Sequence, residues 1–266
     1  MLIINADDFG LDASSNAAIV KSFETGCCSS TTLMANMPGF EEACSLGHER
    51  RLLKHIGLHL VLRHGMPLTE AIKRLPRFCD RHGRLALSSF PLLFGIDTSE
   101  KRVLADEIRA QIARCRANGI PLTHIDSHHH LHNLWPILDV VMAVARSEHI
   151  PYVRLARNCG PGISLAKRLY KTLLNRRISG AGLSRTEYFG SVKDYAFRKG
   201  TRGPNQDRHS FEVMIHPVLH QTGFVMDGTD PSDKLPLETV IRGIESRHEA
   251  VSFSEATYPT SASFAD

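Results

Sequence analysis

The chain has 266 residues and a formal net charge of +4, with 42% hydrophobic and 23% charged residues. This length can build one substantial hydrophobic core, and the composition is that of a globular protein. No apolar run reaches the roughly 18 residues of a membrane span, and the weak positive charge is too scattered to predict a nucleic-acid surface. We therefore expect neither a membrane nor a nucleic acid as a partner.

Two features bear on the cellular compartment. The sequence begins MLIINADD, with no basic residue ahead of the apolar residues and two acids directly after them. A signal peptide would begin with a basic region and continue with a longer apolar one. The six cysteines include no Cys-x-x-Cys pair and are expected to be reduced thiols. Both features favour a cytoplasmic protein.

Short apolar runs alternate with amphipathic stretches along the chain and predict strands and helices in turn. The predicted strands cover residues 2–6, 30–34, 54–62, 122–126, 151–155, 188–189, 211–215 and 250–253. The predicted helices cover residues 16–23, 39–46, 103–118, 135–147, 165–174 and 237–246. The helix at 103–118 has the clearest pattern, because Leu104, Ile108 and Ile112 fall on one face.

This alternation predicts an α/β fold with a mainly parallel sheet, either closed or doubly wound. No internal repeat or low-complexity linker divides the sequence, so we predict a single domain over residues 1–266. The segment 63–100 carries Pro67, Pro76, Gly83 and Pro91. Because proline and glycine interrupt regular elements, this segment is predicted to be an insertion or a lid.

Acidic and imidazole side chains occur where several predicted strands end. The chain has 15 histidines, five of which lie between positions 124 and 132. Active-site residues of parallel α/β folds collect at the carboxyl ends of the strands. The residues at such positions are Asp7, Asp8, His59, Asp126, His128, His129, His130 and His216.

Each of these residues also has an ordinary structural interpretation. Asp8 suits the cap of a following helix, His59 suits a hydrogen-bonded core position, and His216 suits the end of a strand. Together these interpretations require several coincidences, whereas a metal site explains the whole set. An Asp with two His leaves positions on a divalent ion open for water and a substrate oxygen. A second Asp is then free as a base, and another His can protonate a leaving group, which suits hydrolysis of an amide or ester.

The motifs resemble those of the YdjC-like carbohydrate deacetylases, a group that includes chito-oligosaccharide deacetylases. The matching stretches lie between positions 4 and 217 and read INADDFGL, SSTTLMAN, GLHLVL, THIDSHHHLH and EVMIHP. The resemblance implies a variant (β/α) barrel of about seven parallel strands that removes acetyl groups from N-acetylated sugars or oligosaccharides. It also implies a divalent metal, usually described as Mg²⁺, with the ligands Asp8, His59 and His128. Asp7 would be the general base and His216 the general acid.

Several alternatives stay open at this stage. An Asp-His-His set also accepts Zn²⁺, Mn²⁺ or Co²⁺. The same residues suit a metal-dependent phosphoesterase, an amidohydrolase acting on a non-sugar amide, or a non-catalytic metal- or sugar-binding protein. The sequence identifies neither the sugar nor its phosphorylation state, and a homodimer is among the open oligomeric states.

Polar residues near the predicted site have more than one interpretation. Arg154 and Arg157 suit either recognition of an acidic or phosphorylated sugar or surface positions, and the surface is favoured for Arg157. Three further histidines are expected to orient Asp126 or His128, namely His129, His130 and His132.

Overall fold

Seven parallel strands form the central sheet of the computed structural model, which describes residues 1–87, 95–201, 209–228, 236–245 and 250–256. The strands are β1 (Leu2–Phe9), β2 (Ser30–Leu33), β3 (Ile56–Leu60), β4 (His124–Ser127), β5 (Tyr152–Val153), β6 (Tyr188–Ser191) and β7 (Phe211–Ile215). Their order in the sheet is β5-β4-β3-β2-β1-β7-β6. The sheet curves into a half-barrel with helices packed against it, so the predicted barrel-like α/β fold of about seven parallel strands is confirmed.

The helices mostly fill the connections between the strands. They are α1 (Ala13–Glu24), α2 (Phe40–Glu49), α3 (Glu70–Lys73), α4 (Thr98–Ala117), α5 (Trp135–Ser147), α6 (Leu165–Gly180), α7 (Val192–Thr201) and α8 (Leu237–Glu245). An antiparallel hairpin of β8 (Pro217–Leu219) and β9 (Val225–Asp227) follows β7 directly. Strand–helix–strand connections of this kind keep neighbouring strands parallel.

The central strands are buried even where their sequence is polar. Every residue of β2 is buried, although this strand reads Ser-Thr-Thr-Leu. Its hydroxyl groups find partners on neighbouring strands and turns, since Thr31 donates to the carbonyl of Ala6 at 2.7 Å and Ser30 to that of His55 at 2.9 Å. Hydrogen bonds of this kind offset most of the cost of burying a hydroxyl group.

Helix α4 holds the chain that leaves β3 in place. It begins after a capping box, in which the Asp97 side chain accepts the Glu100 N–H and the Glu100 side chain accepts the Asp97 N–H, both at 2.9 Å. On its buried face, Gln111 exchanges two hydrogen bonds with the backbone of Val61, at 2.8 and 3.0 Å. One turn earlier, Glu107 accepts the N–H of Leu68 at 3.0 Å. The chain from 61 to 68 is therefore anchored at both ends.

One predicted strand is wrong, and helices α3 and α7 and the two strands of the β8–β9 hairpin were not predicted. Residues 250–253 form only an isolated bridge, between Ala250 and Leu2. The chain turns directly afterwards because the backbone N–H and hydroxyl of Ser252 both donate to Glu255, at 2.9 and 2.8 Å. The β8–β9 hairpin and α7 were missed, although Ser191 and Asp194 form the reciprocal side-chain bonds that typically begin a helix.

Part of the predicted lid lies outside the described residues, namely positions 88–94. The described part folds back on itself through antiparallel bridges between Arg63 and Ala86 and between Cys79 and Leu85. That this segment covers the site stays a prediction, as does the single-domain boundary.

None of the helices in the described ranges combines the length and the apolarity needed to cross a bilayer. The cytoplasmic location stays an expectation. Helix α6 exposes a row of leucines, with Leu165 at 85%, Leu169 at 63% and Leu173 at 42% exposure. A homodimer stays a prediction, since nothing in the structure identifies what covers this row.

Candidate active site

The carboxyl ends of β1, β3 and β4 bring three of the predicted residues together. Asp8 belongs to β1, His59 to β3, and His128 directly follows β4. Oδ1 of Asp8 lies 3.1 Å from Nε2 of His59 and 2.9 Å from Nδ1 of His128. One potential ligand atom from each residue lies within 4.8 Å of the other two. We call these residues the Asp-His-His triad; its donor atoms are those that divalent first-row ions prefer.

A β-bulge gives the two adjacent aspartates different surroundings. Ala6 pairs with Thr31 and Phe9 pairs with Leu33, so β1 runs three residues over a stretch that β2 covers in two. Asp8 lies in this bulge with a φ of 73°, in the left-handed region that is uncommon for residues with side chains. A regular strand would turn consecutive side chains to opposite faces. Through the bulge, Asp7 contacts groups in the interior while its neighbour Asp8 contacts the histidines at the rim.

His59 is held from the side opposite to Asp8. Its Nδ1 lies 2.7 Å from Oδ1 of Asp126 and 3.1 Å from the hydroxyl of Thr32. Histidines that ligate a metal usually give their second nitrogen to a carboxylate in this way. Burial favours the neutral ring, but Asp126 and Asp8 favour the charged one and raise the pKa of His59 to about 10. A divalent ion would therefore have to displace a proton from this ring.

A fully buried arginine lies next to the triad and binds three carboxylates. Nη1 and Nη2 of Arg154 donate to the two oxygens of Asp7 at 2.7 and 2.8 Å. Nη1 also lies 2.5 Å from Oδ2 of Asp126, and Nε donates to Glu212 at 2.5 Å. The hydroxyl of Tyr152 donates to the other oxygen of Glu212 at 2.5 Å. From the end of β5, one guanidinium thus links strands β1, β4 and β7.

The shared charge of Arg154 affects its partners differently. Burial would raise the pKa of Asp7, but the guanidinium holds it well below its usual range. For Glu212 burial outweighs the same cation, and the pKa is raised to about 6. Ligand atoms of Asp7, His59 and Asp126 also lie within 4.8 Å of one another. Because the guanidinium already bridges Asp7 and Asp126, that grouping is an ion-pair network and needs no metal.

The two predicted proton-transfer residues lie outside the triad. Asp7 is 1% exposed and accepts a further hydrogen bond from Asn5 at 2.8 Å. His216 directly follows β7 and is half-buried, and its backbone N–H donates to Asp227 at 3.3 Å. Its Nδ1 is buried and has no hydrogen-bond partner in the described part of the chain. The charge of His216 contributes to the low pKa of Asp7, so the two side chains lie within electrostatic reach.

The other histidines of the 128–132 segment have separate contacts. His129 packs against the ring of His128, with centroids 4.1 Å apart. His132 lies 2.6 Å from the hydroxyl of Ser127. His130 packs edge-on against Phe189, and burial lowers its pKa to about 3. Of the three histidines expected to orient Asp126 or His128, only His129 makes such a contact.

The two arginines with open interpretations, Arg154 and Arg157, are both paired with acids. The interpretation of Arg154 as a sugar-binding or surface residue is wrong, because it is fully buried among carboxylates. A signal was present in the sequence, since Arg154 stands between the apolar Val153 and Leu155. Arg157 is 40% exposed in its side chain and donates to the carboxylate of Asp194 at 2.6 and 2.5 Å.

A cavity of about 630 Å³ adjoins these residues. It lies at the carboxyl ends of β6 and β7 and next to His130, whose pKa is influenced by both Asp7 and His216. The side chains that line it and carry its chemistry are His130, Arg157, Lys171, Phe189, Lys193 and Met214. It combines an aromatic ring with three cations and one acid, Asp194, which is paired with Arg157, and it was not predicted from the sequence.

The chain is similar to proteins of one family. The family model described as YdjC-like protein matches residues 1–262. A carbohydrate deacetylase of Halalkalibacterium halodurans is 32% identical over 85% of this chain and 91% of that protein. A chitooligosaccharide deacetylase of Yersinia pestis is 34% identical over 82% of each chain. A carbohydrate deacetylase of Brevibacillus brevis is 40% identical over 56% of this chain and 57% of its own length.

The fold has a counterpart among solved structures. A protein of Enterococcus faecalis V583, named as a cellobiose-phosphate cleavage protein, has a TM-score of 0.63 to this chain. The alignment covers 83% of this chain and 82% of the other at 24% identity, which supports the fold alone. With the family match over nearly its whole length, the chain belongs to the YdjC-like protein family.

Proposed function

We propose that this protein is a metal-dependent hydrolase that removes acetyl groups from N-acetylated sugars or oligosaccharides. One observation carries the proposal: Asp8, His59 and His128 converge at the rim of the barrel, beside the ionised carboxylate of Asp7. The sugar comes from the relatives, which are named as deacetylases of carbohydrates and of chitooligosaccharides. The residues support hydrolysis, and the relatives support an acetylated sugar as the substrate.

The triad suits a resident divalent ion by the chemistry of its donors. Burial opposes the charge of Asp8, but hydrogen bonds from His128 and His59 hold its pKa well below its usual range, so it is ionised. Asp8, His59 and His128 would hold the ion. When bound, the ion would polarise the acetyl carbonyl and lower the pKa of a water molecule. Mg²⁺ is our first choice, and two imidazole donors keep Zn²⁺, Mn²⁺ and Co²⁺ as alternatives.

Asp7 is the general base in this proposal. Its hydrogen bonds to Arg154 fix both oxygens, and the low pKa keeps the carboxylate ionised at neutral pH. It accepts the proton of the attacking water and does not bind the ion. Because a general base works best with a pKa near the operating pH, this role requires the ion pair of Asp7 with Arg154 to weaken in the substrate complex.

His216 is the general acid. Its buried Nδ1 has no hydrogen-bond partner among the described residues, which is unusual for a native protein and suits a nitrogen that faces a substrate group. In its charged form the ring donates a proton to the sugar nitrogen as the bond between this nitrogen and the acetyl carbon breaks. Asp7 must be ionised and His216 charged, so we expect a bell-shaped dependence of kcat/KM on pH.

The cavity beside His130 is our candidate for the sugar subsite. Its volume of about 630 Å³ falls within the range of about 300–1,000 Å³ that ligand sites occupy. Its cation Lys171 favours one alternative function, hydrolysis of a phosphate ester by the same triad, whereas Arg157 is already paired with Asp194. Release of acetate or of phosphate separates the two functions.

The test measures acetate released from N,N′-diacetylchitobiose by tag-free protein, with and without EDTA. We expect turnover that EDTA abolishes and that Mg²⁺, Zn²⁺, Mn²⁺ or Co²⁺ restores. Phosphate release from a sugar phosphate, without acetate release from any of a panel of N-acetylated sugars, would support the phosphoesterase instead. Release of neither product from the metal-loaded protein would refute hydrolysis at this site.

Matched variants assign the activity to the site. His59→Ala should lose metal binding and turnover together, whereas Asp7→Asn should bind metal and lose about 10²-fold or more in turnover. His220→Ala is the control, because His220 is exposed and its side chain, among the described residues, bonds only to Thr222 in the same turn. Loss of metal from Asp7→Asn but not from Asp8→Asn would exchange the roles of the two aspartates.

A further inference from the structure

A second group of histidines lies on the outer side of the triad. Nitrogen atoms of His64, His128 and His129 lie within 4.8 Å of one another. The ring of His64 has its centroid 5.6 Å from that of His128 and 5.3 Å from that of His129, and the rings of His128 and His129 are 4.1 Å apart. His64 and His129 are exposed, so this second group faces the solvent at the mouth of the site.

The backbone holds two of these rings in place. His64 and His129 have φ angles of 74° and 56°, both in the left-handed region. The N–H of His64 donates to the carbonyl of Leu85 at 2.8 Å, and the next residue, Gly65, is also left-handed at 70°. Left-handed residues with side chains cluster at binding sites, because the surrounding structure must enforce them. The left-handed backbone of both His64 and His129 is therefore an observation independent of the ring distances.

Neither exposed ring has another partner. In the part of the chain that the structure describes, the side chains of His64 and His129 form no hydrogen bond and no ion pair, only ring contacts. The third member, His128, uses Nδ1 for Asp8, which leaves its Nε2 for a second ligand. The acid beside this group, Asp8, is bonded to His128, so the exposed rings of His64 and His129 keep nitrogen donors available for a cation.

We propose that His64, His128 and His129 form a second metal site, specific for a borderline transition ion such as Zn²⁺, Ni²⁺ or Cu²⁺. A set of three imidazoles suits these ions, whereas Mg²⁺ requires oxygen ligands. Zn–N bonds of about 2.0–2.1 Å require the nitrogens to close in, and the two exposed side chains have the freedom to rotate inward. The site shares His128 with the triad, so with both sites filled this ring would give up its remaining N–H proton to solvent and bridge the two ions through Nδ1 and Nε2. The second site does not require the hydrolysis proposed above.

The test is the stoichiometry of Zn²⁺ binding, measured by equilibrium dialysis and calorimetry on tag-free protein freed of metal. We expect His64→Ala and His129→Ala each to bind one Zn²⁺ fewer than the unaltered protein, while the exposed control His220→Ala binds the same number. His59→Ala should keep the site that His64→Ala loses. In parallel titrations with Mg²⁺, the variants at His64 and His129 should match the unaltered protein.

Circular dichroism separates loss of the site from loss of folding, and both substitutions are at exposed positions where no fold change is expected. Equal Zn²⁺ stoichiometry in the unaltered protein and in both variants overturns the proposal. A loss that also occurs in His220→Ala overturns it as well, because binding would then be general to surface histidines. These readouts involve no substrate, so a failure to release acetate bears on the proposed function and not on this site.

Discussion

Replacing Arg154 with methionine should destabilise the fold strongly while preserving the size of the side chain. The guanidinium makes hydrogen bonds or ion pairs of 2.5–2.8 Å to three buried acids, Asp7, Asp126 and Glu212. Removing one partner of a buried ion pair typically costs about 3–5 kcal/mol, because the other charge is left without compensation. With three carboxylates stranded, we expect the loss to lie at the upper end of that range.

The size of the effect should depend on pH. Without the cation, the folded-state pKa values of these buried carboxyls rise above their unfolded values. In the variant, the stability that these carboxyls contribute is fully present below their unfolded pKa, near 4. It is lost as pH rises through their folded pKa. Arg154→Met should therefore be closest to the unaltered protein at acidic pH and furthest from it near pH 8.

Urea denaturation followed by circular dichroism, in EDTA and at several pH values, measures this difference. Arg154→Lys keeps the charge but cannot span three acids, so it should lose about 1.5–3 kcal/mol, the worth of a hydrogen bond to a charged group. Arg50→Met is the control, since Arg50 pairs at 2.9 Å with Glu24 at the surface and such pairs contribute about 0–1 kcal/mol. If Arg154→Met is as stable as Arg50→Met at neutral pH, the buried carboxylates are balanced by something other than the guanidinium.

Three further predictions concern single residues. Glu212 has a pKa raised from 4.5 to about 6, so its contribution to stability is present below pH 4.5 and lost as pH rises through 6. Relative to Glu212→Gln, the unaltered protein should lose about 2 kcal/mol between pH 4.5 and 7.5 in urea titrations, and a constant difference would contradict this. Asn16→Ala should lower the free energy of unfolding by about 1–3 kcal/mol, because the buried Asn16 side chain accepts the N–H of Gly10 and donates to the carbonyl of Gly39. Thermal unfolding measures the loss, and an unchanged Tm would show that these groups find other partners. His216→Ala should slow acetate release from amides by about 10²-fold or more but spare activated esters, whose leaving groups need no proton. Equal losses on both substrates would make His216 a positioning residue.

The fold and the meeting of acids and histidines at one rim could be predicted because both follow from regular geometry. Parallel strands bring their carboxyl ends to one rim, so residues that end β1, β3 and β4 had to approach one another. The choice of Asp8, His59 and His128 among these residues came from the resemblance to the YdjC-like family, and the β-bulge that separates Asp8 from Asp7 was not predicted. The 250–253 segment shows the limit of such reasoning, since its apolar residues resemble a strand while Ser252 ends it with a turn.

The interior of the barrel could not be predicted in the same way. Whether Arg154 binds a substrate or a neighbouring strand depends on the register between β4, β5 and β7, which no local pattern encodes. A charged residue inside an apolar strand is a signal of burial, and Glu212 in β7 has the same pattern. Pairing the two would have required the strand order, in which β7 lies between β1 and β6 and β5 lies beside β4 at the opposite edge.

The bulge in β1 makes the site depend on a count of residues as well as on their identity. Between Ala6 and Phe9 the chain is one residue longer than its partner strand requires. Deleting one residue here would restore even pairing, and the carboxylate left behind could then face either Arg154 or the histidines, but not both. A substitution at Asp7 or Asp8 removes one carboxylate and leaves the other in its place. A chain shortened by one residue would no longer hold one carboxylate against Arg154 and the other against the histidines. Homologous chains that differ by one residue in this stretch are therefore expected to differ in chemistry, even where both aspartates appear to align.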